Sequence, residues 1–311
     1  MSSPGAHEES GSPRVKERRA KRRATLREAE RRIPINFSIV GVQKAATSTL
    51  YGMLVEHPAV AGGPEKEMRL FIRERLNWEQ PKFKRYARAS DDPRATLAGD
   101  ATPAYFFWPH AIERMSRYDP ALKLVVTLRD PIERAFSQWS MERTWNPAFP
   151  ELPEAIDRFA AATIPDSIPD DVPPSRLRKE SLFTRGLYGQ QLRRGLRFFP
   201  REQWLVLDFR DVFARQAETL DRVTDFLGVQ RFEDYPPVLH KNQTPSDHAG
   251  EPPTVEQVTR LVELYAPDLR ELHELSGLDV SGWTTSRVVA GELSVEEFTA
   301  ALNRKLGLQA G

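Results

Sequence analysis

The chain has 311 residues, 45 Lys+Arg against 44 Asp+Glu, 40% hydrophobic residues and no cysteine. That is the balance of a globular protein of one large α/β domain or two small ones, and the missing cysteine excludes a disulfide scaffold, a thiolate zinc site, an iron–sulfur cluster and a Cys nucleophile. No apolar run approaches the ~20 residues that span a bilayer, and no apolar segment follows the basic N-terminal residues as in a secretory signal, so a cytoplasmic enzyme is the expectation.

Residues 1–32 carry ten Lys/Arg and five Asp/Glu, a net +5, which leaves −4 for the other 279. The basic character therefore sits in a tail, and a nucleic-acid-binding body is not expected. The tail reads as a disordered, solvated leader; a basic arm for RNA or an anionic surface is the alternative.

The body begins at residue 33. Residues 35–40 (INFSIV) alternate and are β-rich, Gly41 breaks them, and 47–56 read as a helix opening on a Thr/Ser cluster. Residues 122–128 (LKLVVTL) form a near-continuous apolar run typical of a buried parallel strand. Arg129-Asp130-Pro131 ends it, and a helix follows from Ile132 to Glu142 with Pro131 in its first turn. A third unit runs from Trp204 to Phe209, then a helix near 214–227 closed by Gly228. Three strand–helix units predict an α/β fold: one domain with a P-loop-like central parallel sheet and helices on both faces.

Between these units the pattern changes. Residues 146–184 hold seven prolines and are too long for a simple connection, so they read as a lid, a substrate-shaping insertion or a mobile stretch. Residues 232–253 form another polar, Pro-rich loop, and helices resume at 254–266 and 268–275. The main domain is placed at 33–283, and 284–311 is a C-terminal extension in which Ser294-x-x-Glu297 opens a short helix to about Leu306.

Two segments suit anions. In the first, Gly41-Val-Gln43-Lys44-Ala45-Ala46-Thr47-Ser48-Thr49, the chain leaves a strand and enters a helix N-terminus, where unmet N–H groups, three hydroxyls and a lysine converge. It is not a Walker A loop, because Lys44 lies three residues before Thr47 rather than beside it. In the second, Arg129-Asp-Pro-Ile-Glu-Arg-Ala-Phe-Ser137, an arginine sits at a strand's C-terminal end, where open α/β sheets bind ligands, and Ser137 lies two helical turns on. In isolation each also reads as an ordinary structural segment.

Together, in this order and 85 residues apart, the two resemble the 5′-phosphosulfate loop and the 3′-phosphate motif of sulfotransferases that use 3′-phosphoadenosine 5′-phosphosulfate (PAPS). Further matches are His57-Pro58, then Lys66-Glu67-Met-Arg-Leu-Phe71, which resembles the Glu-x-x-x-Phe element of heparan-sulfate-type members. Asp100-Ala-Thr-Pro-Ala-Tyr105 resembles their Thr-Pro-x-Tyr segment, and Arg185-Gly-Leu-Tyr188 a region found in bacterial members. The resemblance covers most of 34–283 and is closer to the glycan and bacterial branch than to the phenol and steroid branch. The sequence departs at Ala46, where the family often has glycine, and at Ala101, where some glycan members carry lysine.

The resemblance implies Glu67 as general base and Lys44 as the cation at the leaving oxygen. Gln43, Lys44, Ala45, Ala46, Thr47, Ser48 and Thr49 would hold the 5′-phosphate, and Arg129 and Ser137 the 3′-phosphate. Apart from the resemblance, Lys241 and Asn242 in the late loop read as closing over the nucleotide, or else as part of a solvated loop. Asp100 and Tyr105 join Glu67 as candidate substrate-side residues, Asp100 reading equally as a structural cap. PAPS would be the donor, adenosine 3′,5′-bisphosphate the product, and no metal is implied. A carboxylate base needs partial desolvation or good alignment to work near neutral pH. A small-molecule or glycan acceptor is expected, and a carbohydrate or specialised-metabolite hydroxyl or amine fits best. The Arg/Ala-rich, Cys-free composition suits a bacterial enzyme. A P-loop kinase, or a non-catalytic nucleotide binder on the same fold, are the alternatives.

Overall fold

A computed structural model describes residues 31–63, 65–84, 86–168, 174–238 and 250–308. Strand β1 (Arg31–Pro34) is followed by β2 (Phe37–Gly41), β3 (Val60–Ala61), β4 (Ala87–Ser90), β5 (Leu97–Asp100), β6 (Lys123–Leu128) and β7 (Trp204–Asp208). Five of these make one parallel sheet in the order β3-β5-β2-β6-β7, while β1 and β4 pair antiparallel beside it. The apolar runs at 35–40, 122–128 and 204–209 thus become the three neighbouring strands β2, β6 and β7.

The central strands β2, β6 and β7 are buried on both faces. Along β6, Leu124, Val126 and Leu128 enter one apolar cluster and Val125 the other. Helices α1 (Thr47–Leu54) and α8 (Gln216–Leu227) cover the second face. Helices α2 (Ala111–Tyr118), α3 (Pro131–Trp145), α6 (Tyr188–Leu196) and α9 (Val255–Ser276) pack on the first. Gly228 ends α8 in the left-handed conformation (φ 79°), the cap expected of it.

The topology places the ligand crevice. From β2 the chain moves outward on one side to β3 and β5, then crosses to β6 and β7 on the other. Loops leaving the C-terminal ends of β2 and β6 therefore diverge, and ligands of open α/β sheets bind at such a switch point. Those two loops carry the two anion motifs.

Several expectations are corrected. Arg31 and Arg32, assigned to the tail, belong to β1 and pair with Ser90 and Ala89. The 146–184 stretch contains α4 (Leu152–Phe159) and α5 (Pro174–Glu180), then a 3-10 turn at Thr184–Gly186. In α4 the buried Leu152, Ala155, Ile156 and Phe159 have helical spacing, and Pro153 sits in the first turn where its missing N–H is harmless. Residues 255–276 form one helix through Pro267 rather than two. An interior proline forfeits a helix bond, but packing overrides it: Asp268 accepts from Gly189 N (2.9 Å) and Gln190 N (3.0 Å) at the start of α6. The two helices approach so closely there that a Cβ on Gly189 would lie 2.7 Å from the Asp268 carbonyl.

The C-terminal segment is an integral part of the domain. After the short α7 (Phe209–Ala214), the late helices α10 (Thr284–Val289) and α11 (Val295–Leu306) return to the sheet. The Ser294–Glu297 capping box forms as expected, but Phe298, Leu302 and Leu306 are buried in the main core. Trp283 Nε1 donates to Asp208 Oδ2 at 2.8 Å.

Candidate active site

Two left-handed residues shape the loop between β2 and α1: Lys44 (φ 71°) and Ala46 (φ 61°). For a residue with a Cβ this conformation costs about 1–2 kcal/mol, and such strain gathers at functional loops. Of the two options open to a loop without glycine at position 46, avoiding a positive φ or bearing its strain, the fold takes the second. Ala45 is buried, and its carbonyl accepts from Thr127 Oγ1 at 2.6 Å, which anchors the loop to β6. Ala46 is the N-cap of α1 and gives no side-chain cap bond. The first-turn amides and hydroxyls of α1 thus stand at a cleft of about 740 Å³ lined by Gln43, Lys44, Ala46, Thr47, Ser48 and Thr49, a volume in the range of small-molecule sites.

Arg129 enters the same cleft from the end of β6. Its Nη1 donates to the Lys44 carbonyl (3.3 Å), its Nη2 to Glu133 Oε2 (3.2 Å), and its guanidinium stacks 4.9 Å from the Phe209 ring centroid. Its Nε is buried with no partner among the described residues. Asp130 caps α3 through Ile132 N and Glu133 N, and Thr285 donates to it from the C-terminal segment through its backbone N (2.7 Å) and its Oγ1 (3.0 Å). Ser137 lines the cleft two turns along α3. Lys44 has no carboxylate partner among the described residues; burial, then the charge of Arg129, pushes its ammonium below the ordinary lysine value.

Glu67 lines the cleft opposite, with a side chain 27% exposed. It pairs with Lys66 Nζ (3.3 Å) and Arg69 Nη2 (2.9 Å). A buried polar network holds its segment from behind. Asp100 accepts from Tyr86 OH (2.7 Å), Tyr105 OH (2.7 Å), Thr102 Oγ1 (2.8 Å) and Met68 N (3.1 Å). Tyr105 OH in turn accepts from Leu70 N at 2.9 Å, and Thr102 Oγ1 from Arg69 N at 3.2 Å. Burial pushes the Asp100 carboxyl up, against those hydrogen bonds.

Most of the expected residues therefore converge. Gln43, Lys44, Ala46, Thr47, Ser48, Thr49, Glu67, Arg129 and Ser137 share one cleft. Ala45 acts through its backbone, and Asp100 and Tyr105 are fully buried behind the Glu67 segment, so they scaffold it instead of facing a substrate. Lys241 and Asn242 lie outside the described residues.

The cleft also holds residues that sequence reading passed over. Lys66 and Arg69 flank Glu67, and Glu142, Arg178, Lys179 and Arg185 also line the cleft. Burial pushes the Glu142 carboxyl up, opposed by Lys179, Arg185 and Arg178. Arg185 donates to Ser181 Oγ (2.7 Å) and Gln43 Oε1 (2.9 Å). Phe106, Phe107 and Trp108 are core, while Trp145 lies on the cleft, 73% exposed. The signal for Lys66 was its place beside Glu67; in a loop reading EKEMR it looked like one more solvated charge.

Residues 35–244 match the family model described as a sulfotransferase domain. The chain is 31% identical over 266 residues to human heparan sulfate glucosamine 3-O-sulfotransferase 6, covering 79% of this chain and 72% of that protein. It is 28% identical over 287 residues to mouse heparan sulfate glucosamine 3-O-sulfotransferase 3A1, covering 83% and 66%. Among solved structures, a sulfotransferase from Alicyclobacillus acidocaldarius matches 80% of this chain and 98% of its own, at 25% identity and a TM-score of 0.59. No helix among the described residues is long and apolar enough to cross a membrane.

Proposed function

We propose that this chain, which belongs to the sulfotransferase family and is a sulfotransferase, takes its sulfuryl group from PAPS and delivers it to a hydroxyl or amine of a carbohydrate or specialised metabolite. The observation that carries this reading is the meeting of two anion motifs in one cleft, with the Arg129 guanidinium bonded to the Lys44 carbonyl at 3.3 Å. A donor with phosphates at both the 5′ and 3′ positions needs two such sites a nucleoside apart. The Arg129 Nε and the Lys44 ammonium, which has no carboxylate partner among the described residues, fit such a dianion-rich ligand.

The chemistry follows from the residues. The acceptor oxygen or nitrogen attacks sulfur in line, its proton passes to Glu67, and the S–O bond to the 5′-phosphate breaks. Negative charge gathers on the bridging oxygen as it leaves, and Lys44 with the first-turn amides of α1 stabilises it there. Little covalent work falls to the protein, so positioning and electrostatics supply most of the rate. Arg129 and Ser137 read the 3′-phosphate, which separates this donor from ATP. The acceptor enters past Trp145 and the basic residues of α5; the relatives' glucosamine hydroxyl favours a sugar. We place the enzyme in the cytoplasm of a bacterium.

Radiolabelled PAPS, offered with a panel of oligosaccharides, tests the reading. Label should move to one acceptor class with wild type and fall by about 10²–10⁴-fold in Glu67→Gln, the span of a general base. Phosphoryl transfer from ATP in place of sulfuryl transfer would overturn it.

A further inference from the structure

Lys66 stands between the two halves of the cleft. On one side its Nζ lies 2.9 Å from Ser48 Oγ and 3.5 Å from Thr47 Oγ1, at the first turn of α1. On the other it lies 3.3 Å from Glu67 Oε1. Its backbone is fixed, because its carbonyl accepts from Ala101 N (3.1 Å) and Arg88 Nη2 (3.3 Å). Its side chain is 21% exposed and lines the cleft. No role for it follows from the donor site or the base as described above.

In-line transfer arranges base, acceptor atom, sulfur, bridging oxygen and 5′-phosphate along one path. A cation that touches the phosphate cradle at one end and the base at the other lies alongside the middle of that path, which is the sulfur. We propose that Lys66 is a second catalytic cation, donating hydrogen bonds to the non-bridging oxygens of the sulfuryl group, while Lys44 serves the bridging oxygen. This rests on the PAPS reading above. The bonds balance without any change at Lys66. The acceptor–sulfur bond forms, the bridging S–O bond breaks with its electron pair left on the phosphate, and the acceptor proton goes to Glu67. Lys66 keeps its proton throughout.

The same position explains its neighbours. Burial pushes the Lys66 ammonium down, and the Glu67 carboxylate works against that shift. When Glu67 takes a proton, it stops supporting the Lys66 charge; an anionic group beside Lys66 at that moment replaces the support. Charge-assisted hydrogen bonds in a water-poor site are the strong ones.

Comparing two ligands that differ only in the sulfuryl group tests the proposal without an acceptor. PAPS and adenosine 3′,5′-bisphosphate are titrated calorimetrically into wild type, Lys66→Met and Lys66→Arg. Lys66→Met should weaken PAPS about tenfold, some 1.4 kcal/mol, and leave the bisphosphate within about threefold of wild type. Lys66→Arg should recover most of the PAPS loss. Equal losses for both ligands would make Lys66 a prop of the phosphate loop, and no loss for either would make it a bystander; each result overturns the proposal. Should Lys66→Met fail to fold, Lys66→Gln is read in the same way. If wild type binds neither ligand, the PAPS reading itself fails, a result distinct from both.

Discussion

Arg129 and Glu133, one helical turn apart at the start of α3, form an ion pair of 3.2 Å beside the cleft. A carboxylate beside a proposed phosphate site is a liability, and the C-terminal segment counters it. Lys305 of α11 reaches Glu133 Oε2 at 2.8 Å and Thr284 donates to Oε1 at 3.1 Å. Burial alone would raise the Glu133 carboxyl, but Lys305 and Arg129 together hold it below its ordinary value. Lys305→Ala should therefore weaken bisphosphate binding about threefold at low salt, as suits a half-exposed pair worth under about 1 kcal/mol. The difference should fade near 0.5 M salt, a concentration at which the screening length is only about 4–5 Å. An unchanged Kd at low salt would mean that α11 only packs.

Ala46 is strained where glycine would not be. Ala46→Gly removes the Cβ penalty of a φ of 61° and gives back part of that gain through a floppier unfolded chain. The net should be a stabilisation of about 0.5–1 kcal/mol, read as a Tm rise of about 1–3 °C, with bisphosphate affinity unchanged within twofold. A lower Tm would show that the left-handed loop is held without strain.

Tyr105→Phe separates scaffold from contact. The hydroxyl donates to Asp100 and accepts from Leu70 N, so its removal leaves buried groups unpaired at a cost of about 1–3 kcal/mol. Because that network positions Glu67, turnover should fall while bisphosphate affinity stays. A matching loss of bisphosphate affinity would place Tyr105 in the donor site instead.

Asp268 gives the fold a pH signature away from the cleft. Burial pushes its carboxyl up to about 6, against the backbone N–H groups of Gly189 and Gln190. Between pH 4 and 6 the folded state then holds a proton that the unfolded state has released, so this residue's contribution to stability is full below about pH 4 and is lost as pH rises through about 6. Asp268→Asn cannot titrate. The stability of wild type relative to Asp268→Asn should therefore drop between pH 4 and 6.5 in urea melts, by an amount on the order of 2–3 kcal/mol. A flat difference across that window would remove the assignment.

The parts of the site that follow from short-range order were readable. The strands are apolar runs, the helix starts carry Thr, Asp and Pro signals, and the two anion motifs sit at strand ends, so β2, β6 and their loops could be placed from residues alone. What could not be read depends on contacts between distant segments. Lys66 becomes a site residue only because Ala101 N fixes its backbone beside β5. Asp100 turns from a substrate candidate to a scaffold because Tyr86 and Tyr105 reach it from two other segments. The continuous α9 hides behind Pro267, whose local cost is outweighed by the Asp268 cap on α6, 79 residues away from Gly189 in sequence. The 146–184 stretch was obscured by its prolines, though the apolar spacing of Leu152, Ala155, Ile156 and Phe159 was there to be found.

The central claim is a donor site that reads phosphate at both the 5′ and the 3′ position. Calorimetric titration with adenosine 3′,5′-bisphosphate, using AMP and ATP as controls and no Mg²⁺, tests it directly. The bisphosphate should bind far more tightly than AMP, and Arg129→Ala should erase that advantage at a cost of about 1.5–3 kcal/mol, roughly 10–150-fold in Kd, with AMP unaffected. Equal affinity for the bisphosphate and AMP, or tighter binding of ATP, would contradict the claim.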